Sequence, residues 1–262
     1  MQHLITAQTH ARTVAQTAET LGAPLPAAYL DALDRADALA GAVSPIAKAS
    51  AGQLTNAAIS ALEQGRDPHT DKAVQRLLTS RVLASSGIEQ AARTHVNQLL
   101  AAALCDHADE VLTGWADALE PYAADLYAAA EAVPHLNVTD TDRAIKTGGE
   151  TMHHLHKVQA AVVAWEAATH GFNMLGMVAG IRSGPRTAPL ILTPASHDDL
   201  EPAYELKPAG DLDVWELAKF GLPLRLATLG EYMERVAQFQ ADRAAAQRED
   251  EQRSKDRLVK SW

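Results

Sequence analysis

The chain has 262 residues, a hydrophobic content of 47%, an aromatic content of only 5% and a formal net charge of −10. The length and hydrophobic content suffice for one large domain or two small ones and argue against a disordered chain. The negative charge argues against nonspecific nucleic-acid binding, which needs a surplus of Lys and Arg to displace phosphate counterions. About one residue in five is alanine, which favours helix over strand.

The single cysteine, Cys105, excludes an internal disulfide and a cysteine-based zinc site. We expect it to be a small buried side chain, as free cysteines commonly are. A nucleophilic role would need a helper, and the nearby His107 lies two residues on and faces another side of a helix. The first residues have neither the basic region nor the apolar run of a signal peptide. The most apolar stretch, 161–181, contains Glu166 and His170, which predicts a buried helix and no membrane span. We therefore expect a soluble, cytoplasmic protein.

Residues 1–85 read as a bundle of four short helices. Gly22 and Pro24 end the first, Ser44 and Pro45 have the pattern of a cap followed by a first-turn proline, and Asp71 begins the fourth. The brief links between the helices are typical of a bundle. The predicted helices span residues 4–21, 26–39, 44–62 and 70–82.

Residues 86–182 predict a long antiparallel helical hairpin. Ser86 and Glu89 match a capping box at the start of the first arm, and apolar residues then recur every three or four positions for about 40 residues. Thr147 and Glu150 match a second capping box at the return arm. That arm has the heptad spacing of a coiled coil, which keeps one apolar seam facing a partner helix. Its seam residues are Leu155, Val158, Val162, Trp165, Thr169 and Phe172.

The end of the return arm is rich in small residues. Gly176 and Gly180 are four residues apart, so they share a helix face on which another backbone could approach closely. Close packing within the chain is the simpler interpretation. Both glycines are nevertheless kept as interaction candidates.

Residues 183–262 interrupt the helical pattern. The segment 189–193 is the one convincing strand, and a single short strand cannot form a sheet. Leu190, Ile191 and Leu192 would either pair with the edge of a partner or lie extended over the core. A short helix is expected after Asp213, and Thr228 with Glu231 should cap the last helix.

The last helix changes character after Gln240. Residues 241–257 are alanine and mixed charge on all sides, and such a helix has no face to bury in its own core. It is either a solvated terminus or an arm that docks on a partner. Leu258, Val259 and Trp262 restore apolar character at the end and favour docking.

Few residues suggest chemistry. Glu150 and His153 form an E-x-x-H pattern, and His156 follows on the same face, as in helical di-iron sites. Such sites need a second E-x-x-H pair, which is absent, so a solvated histidine face is the simpler interpretation. Next to Cys105, the residues Asp106, His107, Asp109 and Glu110 could offer metal ligands, but they spread over several faces of one helix and are interpreted as surface charge. Phosphate-binding loops, nucleophile elbows and dinucleotide fingerprints are also absent, so no catalytic, metal-binding or cofactor-binding residue is predicted.

The sequence thus predicts a mainly α protein, a multi-helix bundle with a long antiparallel helical hairpin and at most one or two short strands. We expect a non-enzymatic structural or assembly protein that contacts a protein partner or another copy of itself through helix surfaces. The alanine-rich composition, with more Arg than Lys, resembles that of high-GC bacteria and their phages, so a virion component is one version. Two alternatives remain: a ligand- or metal-binding bundle that uses Glu150, His153 and His156, and an acidic adaptor of a basic partner.

Overall fold

The computed structural model of the protein describes residues 6–138, 145–146, 148–207 and 212–260, with the side chains of these residues except Thr6, Asp250, Ser254 and residues 256–260. In these ranges the chain forms ten α-helices and one 3₁₀ turn, without a β-strand. The mainly α fold and the multi-helix bundle are therefore confirmed. The helices are α1 (Thr6–Leu21), α2 (Ala27–Ala47), α3 (Ala51–Glu63), α4 (Lys72–Ser85), α5 (Ile88–Asp106), α6 (Ala108–Ala132), α7 (Gly149–Val178), α8 (His197–Leu206), α9 (Val214–Lys219) and α10 (Leu229–Lys260).

The chain divides into two compact units. Unit 1 contains residues 1–11 and 27–106, and unit 2 contains residues 12–26 and 107–262. These units divide the chain at other places than the three segments expected from the sequence.

In unit 1, α2 packs against α5, and the apolar cluster between them includes Ala36, Val96 and Leu100 together with Ala7 of α1. The predicted helix start at Ser44 and Pro45 is wrong, because α2 continues through Pro45 to Ala47. Helix α3 begins instead after Ser50. Ser50 Oγ accepts the Gln53 N–H at 3.2 Å, and Gln53 Oε1 accepts the Ser50 N–H at 3.0 Å. This capping box satisfies two backbone donors, whereas a proline at the helix start only removes one.

The predicted first arm of the hairpin is two helices in the structure. Helix α5 ends at Asp106, and α6 begins at Ala108 after His107. Ser86 does not cap α5, because its Oγ donates to the Leu83 carbonyl at 2.7 Å and so closes the end of α4. The break at His107 contains no Gly or Pro, and the apolar periodicity continues across it. The sequence pattern therefore gives no sign that one helix ends and another begins there.

The antiparallel hairpin of unit 2 consists of α6 and α7. Lys157, early in α7, bonds Asp125, late in α6, at 2.7 Å from Nζ to Oδ1. Gly171, late in α7, lies against Trp115, early in α6. These two contacts can coexist only if the helices run in opposite directions. The seam of α7 is buried as predicted at Leu155, Val158, Trp165 and Phe172.

Candidate interaction surface

Helix α10 begins on a capping arrangement built from two parts of unit 2. Thr228 Oγ1 accepts the Glu231 N–H at 3.1 Å, and Glu231 Oε2 accepts the Thr228 N–H at 3.0 Å, which confirms the predicted capping box. Asp109 Oδ1, from the first turn of α6, accepts the Leu229 N–H at 2.7 Å. Three donors at the helix start are thereby satisfied, and two carboxylates lie near its positive end.

The first part of α10 packs on unit 2. Tyr232 and Phe239 are buried, and the Tyr232 ring lies edge-on to Phe172 with centroids 5.3 Å apart. The Tyr232 hydroxyl also bonds Thr187 Oγ1 at 3.0 Å. Arg235 Nη1 donates to the carbonyls of Leu190, at 3.0 Å, and Arg225, at 3.1 Å. These contacts hold the beginning of α10 in place.

The rest of α10 carries no buried side chain among those described between Ala241 and Lys255. Glu249 and Arg253 form an ion pair at 3.1 Å along the helix, with the side chains 69% and 68% exposed. A helix that is polar on all sides obtains no stability from a core of its own. We call residues 241–260 the α10 arm. Among its described side chains, Asp242, Arg243 and Ala246 are half-buried and the others are exposed.

The predicted apolar candidates at the end of the arm lie mostly outside what the structure describes. Leu258 and Val259 are in the helix, with only their backbone described, and Trp262 lies outside the described residues. Their proposed docking role therefore stays a prediction.

The predicted strand at 189–193 is wrong. Residues Ala188–Ile191 form a 3₁₀ turn, and Leu190, Ile191 and Leu192 are buried at 0%, 1% and 8% exposure. The carbonyls of Ile191 and Leu192 already accept the N–H groups of Ala227, at 2.9 Å, and Arg225, at 2.8 Å. The segment fills the core of unit 2 because both its side chains and these backbone groups find partners there.

The two candidate glycines close the end of α7. Gly180 adopts a φ of +77° and lies beyond the helix, and the Ile181 N–H donates to the Gly176 carbonyl at 2.7 Å. A Cβ at Gly176 would lie 3.2 Å from the Ile181 carbonyl oxygen. This is a Schellman termination, in which the left-handed Gly180 folds Ile181 back over the helix end. The glycines thus have a local explanation that does not involve a second helix.

Glu150, His153 and His156 are all exposed near the start of α7. The rings of His153 and His154 lie 6.0 Å apart. Within the described ranges, no three His, Cys, Asp or Glu side chains are grouped so that they could hold a metal ion. The structure therefore adds no third ligand to the E-x-x-H pattern.

The expected burial of Cys105 is wrong, because its side chain is exposed. The next residue toward the N-terminus, Leu104, takes the fully buried position on α5. Partial desolvation raises the pKa of the Cys105 thiol, and the Asp106 carboxylate raises it further. This keeps the thiol protonated, which opposes a nucleophilic role.

Sequence reasoning missed a cleft in unit 1. A cavity of about 950 Å³ opens between α2 and α5 beside Gln8. Its apolar floor includes Val43 and Val96, and Lys48 and Arg93 lie at its edge. Asn97 Nδ2 donates to the Arg93 carbonyl at 2.9 Å, whereas its buried Oδ1 has no hydrogen-bond partner among the described residues. No sequence pattern marks this cleft, because its lining residues come from three separate parts of the chain: Gln8, residues 40–48 and residues 89–97.

Comparison with protein-family models, with curated proteins and with solved structures found no match to this chain. Within the described ranges, none of the helices combines the length and the apolarity needed to cross a membrane. The functional interpretation therefore depends on the surfaces described above.

Proposed function

We propose that the protein is a non-enzymatic structural or assembly protein that works through helix-mediated contacts with other protein chains, and that the α10 arm is its principal contact surface. The observation that carries this proposal is the absence of any buried side chain among those described from Ala241 to Lys255, in a helix whose start is firmly anchored. A helical stretch that buries none of its described side chains obtains little stability from packing, so a partner would add stability.

The proposal includes a place in the cell. We propose that the protein acts in the cytoplasm, or in a virion if the phage version holds, and that it does not bind nucleic acid directly. The formal charge of −10 supports the last point, since counterion release from phosphates requires a basic surface. The arm itself mixes both signs of charge, which suits a protein partner.

The test compares the full chain with a variant that ends at Gln240. Light scattering after size-exclusion chromatography measures self-association. Quantitative crosslinking followed by a pull-down measures bound partner protein. We expect the full chain to associate with itself or with a stoichiometric protein partner, and the shortened chain to lose that association while its circular dichroism remains that of a folded helical protein. A full chain that is strictly monomeric and holds no partner contradicts the proposal.

A second candidate function is binding of a small ligand in the cleft of unit 1. It is favoured by the size of the cleft, which is typical of ligand sites, and by Asn97 Oδ1, an acceptor in need of a donor. Native mass spectrometry of gently purified protein tests it. A retained ligand should be lost in Ala92→Phe, which fills the cleft, and kept in Ala91→Phe, which lies next to it outside the cleft lining.

A further inference from the structure

We infer that the start of α8 in unit 2 binds a divalent cation of the Zn²⁺ type, held by His197 Nε2 and Glu201 Oε2. This inference goes beyond the proposed function and does not depend on it. Two observations carry it together. A buried imidazole faces a carboxylate at each of its nitrogens, and a buried carboxylate oxygen beside it has no hydrogen-bond partner among the described residues.

The imidazole of His197 is held in place by packing. His197 is the first residue of α8, and its side chain is only 10% exposed. Its ring lies against the ring of Phe239 in α10, with centroids 5.2 Å apart, and Phe239 is itself buried. The ring therefore has little room to turn, and its nitrogens stay directed at the groups beside it.

Both nitrogens of His197 face carboxylate oxygens. Nδ1 lies 3.5 Å from Asp198 Oδ1, and Nε2 lies 3.6 Å from Glu201 Oε2. Neutral imidazole carries one proton, so whichever nitrogen holds it, the other directs a lone pair at a negatively charged oxygen. His197 Nδ1 and Glu201 Oε2 are buried without a hydrogen-bond partner among the described residues. Such groups are unfavourable until a donor or a positive charge satisfies them.

The other carboxylates of this turn have different places. Asp199 Oδ2 accepts the Ser196 N–H at 3.0 Å and the Ser196 hydroxyl at 2.7 Å, so it is engaged in capping the helix. Asp198 lies on the Nδ1 side, where a carboxylate commonly orients a metal-bound histidine by accepting its second N–H. Nε2 then directs its lone pair toward Glu201, which leaves these two atoms as the ligands.

The spacing of the two ligand atoms fits a metal ion. Zn–N and Zn–O bonds of about 2.0–2.2 Å at a tetrahedral angle place the nitrogen and the oxygen about 3.4 Å apart. The observed separation of His197 Nε2 and Glu201 Oε2 is 3.6 Å. The Glu201 side chain is 47% exposed, so it can make this small adjustment and ions can reach the site from solvent.

The charge of α8 and the types of ligand select the ion. The helix contains four carboxylates and no Lys or Arg between His197 and Leu206, which favours a bound cation. An imidazole nitrogen with a carboxylate suits Zn²⁺, whereas Mg²⁺ and Ca²⁺ prefer oxygen ligands. We therefore expect Zn²⁺ to bind and Mg²⁺ not to bind.

The number of ligands limits the affinity. Across the described ranges, no three His, Cys, Asp or Glu side chains are grouped for a metal ion, so two protein ligands hold the ion and water completes its coordination. Such a site should be weak and should fill only when Zn²⁺ is supplied. Because the ion binds the folded arrangement of His197 and Glu201, it should also raise the unfolding temperature.

The experiment titrates the full chain with zinc chloride and, separately, with magnesium chloride by isothermal titration calorimetry, and follows thermal unfolding with each salt. We expect one Zn²⁺ per chain at this site, a higher unfolding temperature with Zn²⁺, and no response to Mg²⁺. Glu201→Gln removes a ligand charge from a half-exposed side chain, so the variant should fold normally and bind Zn²⁺ at least about tenfold more weakly. His197→Gln removes the other ligand and should have the same effect, with circular dichroism to check its fold.

The matched control is Glu166→Gln in α7. Glu166 and His170 are also four residues apart on a helix, but both are exposed, so packing does not hold them in place. This variant should keep the Zn²⁺ affinity of the wild-type protein. A full chain that does not bind Zn²⁺ overturns the inference, as does binding that Glu201→Gln leaves intact or that Glu166→Gln weakens equally.

Discussion

At the scale of the residue, Gly171 is the described glycine of unit 2 that leaves the least room for a side chain. A Cβ at this position would lie 2.5 Å from Cη2 of Trp115 and 3.2 Å from Oγ1 of Thr17. Thr17 in turn donates to the Ala167 carbonyl at 3.3 Å. Side chains of α1 and α6 thus meet the backbone of α7 at a point where only hydrogen fits, and the fully buried Trp115 ring depends on that space.

Gly171→Ala should therefore destabilise the protein by about 1–3 kcal/mol, the usual cost of overpacking a core. Urea unfolding followed by circular dichroism measures it. The control is Gly114→Ala in α6, where an added Cβ meets nothing within 4 Å. There alanine should stabilise the helix by about 0.5–1 kcal/mol. Equal effects of the two substitutions would contradict the packing argument.

Glu216 of α9 is a largely buried carboxylate that pairs with two lysines. It is 11% exposed, and its Oε1 lies 2.6 Å from Lys207 Nζ and 2.7 Å from Lys219 Nζ. Burial alone would raise the pKa of Glu216, but the hydrogen bonds and positive charges of the two lysines outweigh it and hold the pKa below its ordinary value. The folded state thus favours the ionised carboxylate.

Glu216→Gln should cost about 1–2 kcal/mol of unfolding free energy at neutral pH, because two charge-assisted hydrogen bonds are weakened. A lowered folded-state pKa gives stability that is present above the unfolded pKa of about 4.3 and is lost as the pH falls through the folded-state value. The difference between the wild-type protein and the variant should therefore shrink below about pH 4. Unfolding curves at several pH values measure it, and a difference that grows in acid would contradict the assigned cause.

At the scale of the element, α10 shows how a long helix can be anchored from one end. The box of Thr228 and Glu231 is local, whereas Asp109 comes from the start of another helix and accepts the Leu229 N–H. A carboxylate at this position both accepts a backbone hydrogen bond and compensates the positive end of the helix dipole. This contact and the packing of Tyr232 hold the first part of α10 against the rest of unit 2.

Asp109→Ala should lower the unfolding free energy by about 1 kcal/mol, because a cap acceptor and a favourable charge are both removed. Asp109→Asn keeps a hydrogen-bond acceptor and should lose less unfolding free energy than Asp109→Ala. Thermal unfolding of both variants measures the order. The matched control is Asp117→Ala on the exposed side of the same helix, which should remain within about 0.5 kcal/mol of the wild-type protein. A loss at Asp117 as large as that at Asp109 would argue against the capping role.

At the scale of the whole molecule, burial is distributed unevenly between the helices. Helices α3 and α4 bury one residue each, Ala61 and Val74. Helix α7 buries ten of its 30 residues. Large apolar side chains on α3 and α4 are instead exposed, namely Ile59, Leu62, Leu78 and Val82. Local stability should follow this distribution, because few buried contacts oppose the opening of α3 and α4.

Hydrogen–deuterium exchange should thus show fast exchange at the backbone amides of α3 and α4 and slow exchange along the middle of α6 and α7. The physical reason is that opening α7 exposes its buried seam, whereas opening α3 or α4 exposes little. Peptide-level mass spectrometry measures the difference. Equal protection in the two pairs of helices would mean that the surface of α3 and α4 is covered by something other than the described fold, and would contradict this prediction.

Local signals in the sequence were reliable where one short-range interaction dominated. The box at Thr228 and the cap at Asp213, whose Oδ1 accepts the Glu216 N–H at 2.8 Å, are confirmed because acceptor and donor lie within four residues. The predicted cap at Ser86 is wrong because two helix ends compete for one hydroxyl, and the end of α4 takes it. Sequence spacing cannot decide such a competition.

The candidate sites were harder to predict because each depends on residues distant in sequence. The burial of Leu190 and Ile191 follows from Arg235 and from the segment after α9, which lie more than 30 residues away. The cleft beside Asn97 is lined by Gln8 and by residues of two segments, 40–48 and 89–97, that only the fold brings together. An apolar run can fill a core or form an edge, and only its neighbours determine which.

By itself, the sequence determined the helical class of the protein, the heptad seam of α7 and the charged composition of the α10 arm. Periodicity and composition act within one helix, and one helix is what a sequence window describes. Only the tertiary structure decided that the segment 189–193 is core, that Gly171 admits a tryptophan ring, and which face of α10 stays uncovered. These outcomes depend on packing between distant segments, because burial is a property of the neighbours that a residue finds after the chain has folded.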